Sequence, residues 1–219
     1  MARSGGAARE ITPWSEWIDA LVESGDIHAV LGRLFFERSS RGGWSAVAEH
    51  LGGLLGEIGE RWADGRLTVA QEHIASSALQ RAIAVVVETI PVPAAARRCL
   101  LACAEGEEHT IGLSLAELCL REAGWRSEWI GSHTRPTDVC ERVRAGAVDL
   151  VGLSASAAMT DRRGLRIQER LIGGVCQRAG ITLALGGTGR WPDPPAFGVR
   201  VRRWSEFRAL LRASPPRRG

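Results

Sequence analysis

The chain of 219 residues contains no lysine; its 28 basic residues are all arginine. Covalent chemistry through a lysine Schiff base is therefore excluded. Tyrosine is absent too, although tryptophan occurs 8 times. No apolar run approaches the ~20 residues that span a bilayer. Met1–Glu10 is rich in Gly, Ala and Arg and lacks an apolar signal core, so neither a membrane nor secretion is expected. The five cysteines (Cys99, Cys103, Cys119, Cys140, Cys176) form no C-x-x-C pair. They sit in apolar patterns, which predicts buried free thiols in a reducing cytoplasm. No His and Cys pair has zinc spacing. A net charge of +3 is too small to argue for nucleic acid, and direct nucleic-acid binding is not expected.

What is present divides into two patterns. The first 90 residues carry helical periodicity. Thr12 reads as an N-cap with Pro13 at the first helical position, and Trp14, Trp17, Ile18, Leu21 and Val22 follow as a stripe. Gly25-Asp26 breaks the chain before a second stripe of Ile27, Val30, Leu31, Leu34 and Phe35. A third helix after Arg41-Gly42-Gly43 has Val47, Leu51, Leu54, Ile58 and Trp62 along its inner face. Asp64-Gly65 marks a turn. The capping box Thr68-Val69-Ala70-Gln71 starts a fourth helix running to about Glu88. Four helices with short connections predict an antiparallel bundle.

Beyond the linker Pro91–Ala96 the pattern alternates. Strands are expected at Cys99–Ala104, Ser127–Ile130, Asp149–Leu153, Ile181–Leu185 and Gly198–Arg202. Helices are expected at Ile111–Ala123, Thr137–Ala145, Thr160–Ala179 and around Glu206–Leu211. This order predicts a parallel, five-stranded, flavodoxin- or Rossmann-like sheet ordered 2-1-3-4-5. The expected organisation is a disordered 1–11, a helix-bundle cap at 12–90, a sheet domain at 97–213 and a disordered tail at 214–219.

In such a sheet the ligand crevice lies beyond the carboxyl ends of strands one and three. Three segments meet there. Glu107-Glu108-His109-Thr110-Ile111-Gly112 follows strand one, Ser154 and Ser156 follow strand three, and Gly186-Gly187 follows strand four. His109 can offer a neutral imidazole nitrogen to a metal. Glu107 can hold the other ring N–H and so fix the tautomer. Gly112 and the glycine pair leave room for a large flat ligand. In the bundle, Trp62 is followed after nine residues by Glu72-His73. These three side chains gather at one end of a helix hairpin, suited to cap such a ligand. The plainer alternatives are a polar helix entry at Glu107–Gly112, a core tryptophan at position 62 and a solvated helix start at Glu72-His73.

The second half resembles the cobalamin-binding Rossmann domains, whose signature is D-x-H-x-x-G, then S-x-L, then G-G. The matching residues are Glu107, His109 and Gly112; Ser154 and Ser156; Gly186 and Gly187. The resemblance implies that His109 replaces the dimethylbenzimidazole base as lower cobalt ligand. It implies that the displaced nucleotide tail runs past the serines and the glycine pair. Glu107 stands where many members have Asp, and Ser156 where Leu is usual. The W-x9-E-H pattern resembles the light-sensing CarH- and LitR-type regulators in particular, implying adenosylcobalamin with Trp62, Glu72 and His73 around its adenosyl group. There the residue after the tryptophan is a histidine; here it is Ala63, so an upper histidine would have to be His73, or failing that His28 or His50. His133 reads as a surface loop residue.

Residues 1–11 are too few for a winged helix. The resemblance therefore implies a photosensor acting through an unknown downstream protein or through its own association, as a homodimer or light-dependent oligomer. It favours a sensor over a catalyst. Stand-alone relatives such as AerR-like proteins and photocobilins exist, and the latter also bind a bilin such as biliverdin. Trp14, Trp17 and Trp44 would line such a second pocket, with core packing as the alternative. Two other functions stay open: a corrinoid methyl-carrier subunit of a methyltransferase, and a cofactor-free flavodoxin-like interaction module.

Overall fold

The computed structural model describes residues 14–213. The expected cap at Thr12-Pro13 and the termini 1–11 and 214–219 lie outside them. Four helices come first: α1 (Ser15–Ser24), α2 (Ile27–Arg41), α3 (Trp44–Ala63) and α4 (Val69–Thr89). Their ends follow local chemistry. Asp26 accepts the His28 N–H to start α2, and Gly42 ends it in a left-handed conformation. Thr68 and Gln71 form the expected reciprocal box at the start of α4.

The second half runs β1 (Arg98–Cys103), α5 (Ile111–Glu122), β2 (Arg126–Gly131), α6 (Pro136–Arg144), β3 (Leu150–Ser154), α7 (Arg162–Arg178), β4 (Thr182–Gly186), β5 (Val199–Arg200) and α8 (Trp204–Ala213). The strands form one parallel sheet ordered β2-β1-β3-β4-β5. Strand and helix ends shift by one to two residues from expectation, and two of the helix starts have a local cause. α6 starts one residue early because Pro136 fits the first helical turn. α7 starts at Arg162 because Asp161 takes the Arg163 and Gly164 N–H groups.

Side-chain alternation divides β1 between two cores. Cys99, Leu101 and Cys103 join the bundle, α5 and α8 in one continuous cluster. Leu100, Ala102 and Ala104 face α6 and α7 in the other. Trp17 and Trp44 lie in the first cluster, and Trp14 packs at its edge against the His50 ring, 4.3 Å between centroids. All five cysteines are buried free thiols. Burial pushes the Cys103 thiol up to about 12, helped by the Glu107 charge.

Carboxylates tie the halves together. Glu122, the last residue of α5, accepts the Trp44 N–H at 2.7 Å and the Ser45 N–H at 3.1 Å, capping α3. Glu49 of α3 in turn accepts the Trp204 N–H at 2.8 Å where α8 begins. These contacts run α3 antiparallel to α5. At ~1.5 Å per residue, the 20-residue α3 far outruns the 12-residue α5. Its last two turns therefore extend beyond α5, where Ile58 and Arg61 are still buried and Arg61 donates to the Ser15 hydroxyl at 2.9 Å. No described helix is long and apolar enough to cross a membrane.

Candidate functional site

Glu107 organises the carboxyl edge. It is 1% exposed. One carboxylate oxygen accepts the His109 backbone N–H at 2.8 Å and lies 2.6 Å from His109 Nδ1. The other accepts the Ser156 N–H at 2.5 Å. Burial alone would raise its pKa, but the hydrogen bonds from Ser156 and His109 hold it below the usual glutamate value. An ionised Glu107 makes Nδ1 the protonated nitrogen of a neutral ring. Nε2 is then the free donor on a side chain that is 62% exposed. The Ser156 hydroxyl sits 3.4 Å from the same Nδ1.

The neighbouring glycines are steric requirements. A Cβ on Gly112 would stand 3.1 Å from the Ser154 hydroxyl. Gly187 has φ +81°, and a Cβ there would collide with the Ala155 carbonyl oxygen. The structure thus gathers Glu107, His109, Gly112, Ser154, Ser156, Gly186 and Gly187 around the ends of β1, β3 and β4.

Trp62, Glu72 and His73 sit elsewhere. Gln80 of α4 donates to the Thr110 hydroxyl at 2.8 Å, which fixes where α4 meets the entry of α5. His73 lies seven residues earlier on the same helical stripe, about 10 Å further out along the axis. Trp62 is 51% exposed although its neighbour Arg61 is buried and donates to the Ser15 hydroxyl of α1 at 2.9 Å. The stripe through Ile58 does continue to Trp62, but no element covers that position, so Trp62 is not a core residue. Glu72 accepts the Ser76 hydroxyl at 2.6 Å and lies 3.5 Å from His73 Nε2. His73 is 73% exposed and borders a groove of about 330 Å3 with Gly25, Ile74, Ser77 and Arg81. No hydrogen bond joins these three residues to the sheet edge among the described residues.

The remaining histidines are placed differently. His50 is held between Trp14, Arg41 and Glu37, and burial with the Arg41 charge lowers its pKa. It is also some 18 Å before Trp62 along α3. His28 is exposed in the first turn of α2. His133 has φ 57° and an exposed ring 3.9 Å from Glu108. Of the three named for an upper ligand, His73 alone lies on the α4 stripe that leads to Gln80 and Thr110.

Sequence reasoning did not single out Gly189, Trp191 or Arg200. The Trp191 indole N–H donates to the Gly186 carbonyl at 2.9 Å. The Arg200 guanidinium reaches the Leu185, Gly187 and Val201 carbonyls at 2.6–2.8 Å. The G-G-T-G spacing was the available signal for Gly189; nothing local marks Arg200.

Among the described residues no group of three or more His, Cys, Asp or Glu could hold a metal ion. His109 offers a single nitrogen, so it suits a metal that arrives with its other ligands attached. A carboxylate-held imidazole donor, a glycine-lined edge and an exposed tryptophan near the end of α3 fit a planar metal macrocycle. Residues 97–203 match the B12 binding domain family, and residues 45–86 match a second B12 binding domain family. The HTH-type transcriptional repressor CarH of Myxococcus xanthus is 39% identical over 113 residues, which are 52% of this chain and 38% of that protein. The HTH-type transcriptional repressor CarA of the same organism is 34% identical over 107 residues, 48% of this chain and 35% of CarA. Each match thus spans little more than a third of the relative's length. Among solved structures, the monomethylamine corrinoid protein of Methanosarcina barkeri superposes with a TM-score of 0.67 at 16% identity, covering 90% of this chain and 95% of that one. That likeness concerns the fold.

Proposed function

The chain belongs to the B12-binding domain family, and we propose that it is a light sensor that holds adenosylcobalamin between its bundle and its sheet. The observation that carries this reading is the imidazole donor His109 held on the buried Glu107 at the carboxyl edge of the sheet, in a chain that also exposes Trp62 near the end of α3. When bound, the group supplies a cobalt–carbon bond that visible light breaks. Glu107 keeps Nδ1 protonated and presents Nε2 to the lower face. Ser154, Ser156, Gly112, Gly186 and Gly187 line the path of the nucleotide tail. Trp62 covers the upper face and excludes water, while Glu72 and His73 hydrogen-bond the polar groups of the adenosyl ligand.

Ala63 offers no upper ligand. In its place, the exposed imidazole of His73 would be the side chain free to serve as a ligand. A bound group between bundle and sheet would bias a two-state equilibrium, and its change would alter self-association or the choice of protein partner. The buried, unpaired thiols suit a cytoplasmic setting.

The experiment is reconstitution of the full chain with adenosylcobalamin in darkness. Absorption spectra and gel-filtration volumes are then taken before and after green light. The sensor reading expects photolysis faster than for the free cofactor, with a changed elution volume. The open His109 would serve a methyl-carrier subunit equally well. That role predicts tight binding of methylcobalamin and no size change on illumination. Protein that stays colourless with every cobalamin would be a cofactor-free module.

A further inference from the structure

We infer that Arg200, seconded by Trp191, is a positioning residue that shapes the nucleotide-tail channel and tells a cobalamin with its tail from a corrinoid lacking one. The inference rests on the cobalamin reading above. Arg200 is in the short edge strand β5, and its side chain turns back beneath the loop that follows β4. One terminal nitrogen donates to the Leu185 carbonyl at 2.7 Å and the Val201 carbonyl at 2.8 Å. The other donates to the Gly187 carbonyl at 2.6 Å and approaches that of Gly189 at 3.4 Å. Every one of these acceptors is a main-chain carbonyl. The planar fork of a guanidinium can serve four such oxygens at once, which a tetrahedral ammonium on a shorter reach cannot. Burial lowers the guanidinium pKa, yet an arginine stays charged at any ordinary pH.

This clamp is transmitted. Gly189 donates its N–H to the Ala155 carbonyl at 2.8 Å, and Ala155 donates to Gly186 at 3.3 Å. The two loops are so close that a Cβ on Gly189 would come within 2.6 Å of the Ala155 Cβ. The next residue, Ser156, gives its N–H to Glu107, which holds His109. Trp191 is buried and fixes the Gly186 carbonyl from the opposite side. Arg200 thus sets the loop in the path assigned to the tail, and sits four contacts away from the assigned cobalt ligand.

The test compares wild type with Arg200→Lys and Arg200→Gln. Affinities for adenosylcobalamin and for cobinamide, which has the corrin ring but no nucleotide, are measured by spectral titration in darkness. Thermal melting of the cofactor-free proteins runs alongside. Both variants should bind adenosylcobalamin at least ten-fold more weakly and cobinamide within two-fold of wild type. Full rescue by Arg200→Lys would overturn the role of the fork. An equal loss for both ligands, or a wild type that does not prefer the tailed ligand, would overturn the role in the channel. A wild type that binds neither corrinoid refutes the cobalamin reading itself, a separable result.

Discussion

The two ends of the assigned binding site are built on opposite principles. At the sheet edge the acidic group has its partners in the protein itself. Glu107 is sealed from solvent, three hydrogen-bond donors converge on it, and Gly187 beside it has no room for a side chain. At the helix ends Trp62 and His73 face solvent, and among the described residues no hydrogen bond ties them to the sheet. The lower half is fixed before any ligand arrives, whereas the upper half takes its order from what lies beneath it. A receptor whose state depends on one ligand face needs such a division: a fixed seat for what stays, and a loose cover over what leaves.

The largest effect should come from breaking the fixed half. Glu107→Ala leaves the Ser156 and His109 N–H groups without their buried acceptor, and each such orphan costs about 1–3 kcal/mol. It also frees the His109 tautomer, and loss of an outer-shell partner typically weakens metal binding 10- to 100-fold. Chemical denaturation of the cofactor-free protein and spectral titration with cobalamin read the two effects separately. The charge has its own signature. Because the folded pKa of Glu107 lies below its ordinary 4.5, its contribution is complete above that pH and disappears as pH falls through the lower, folded value. Wild type and Glu107→Gln should therefore differ most in denaturation midpoint near neutrality and converge in acid. A constant gap down to the lowest accessible pH would show that the ionised carboxylate is not what stabilises the loop.

A smaller effect is expected at the joint between the two regions. Glu122→Ala removes the acceptor for the first two N–H groups of α3, and loss of a cap costs about 0.5–2 kcal/mol. Cobinamide affinity should stay within two-fold, since the cap lies at the far end of α3 from Trp62. This joint also shows what a sequence can carry. The strand order and the convergence of Glu107, Ser156 and Gly187 were readable because hydrophobic period and strand-end position are local properties. Glu122 was not, because its partners Trp44 and Ser45 are more than seventy positions away and nothing near it looks like a cap. Arg200 is hidden for the same reason: its acceptors are carbonyls, which every residue has. Trp62 marks the opposite limit. Its periodicity with Ile58 assigned it to the inner face of α3, yet it is 51% exposed beside a buried Arg61, because periodicity does not say whether another element covers a position.

The smallest effect on stability, and the most selective on binding, belongs to that tryptophan. Trp62→Ala removes an indole that is already half in solvent. Exposed substitutions of this kind typically stay within about 0.5 kcal/mol, so the melting temperature of the cofactor-free protein should barely move. If the indole covers the upper ligand, the same change should weaken adenosylcobalamin about ten-fold and leave hydroxocobalamin, which has no adenosyl group to cover, unchanged. Equal weakening of both would place Trp62 against the corrin ring itself. A fall in the melting temperature of the empty protein would mean that the Trp62 end of α3 is ordered by its own packing, and the contrast between a fixed seat and a ligand-ordered cover would fail. Photolysis sharpens the point: with the cover gone, water reaches the upper face, and the rate under constant green light should approach that of the free cofactor while the His109 side of the spectrum stays unaltered.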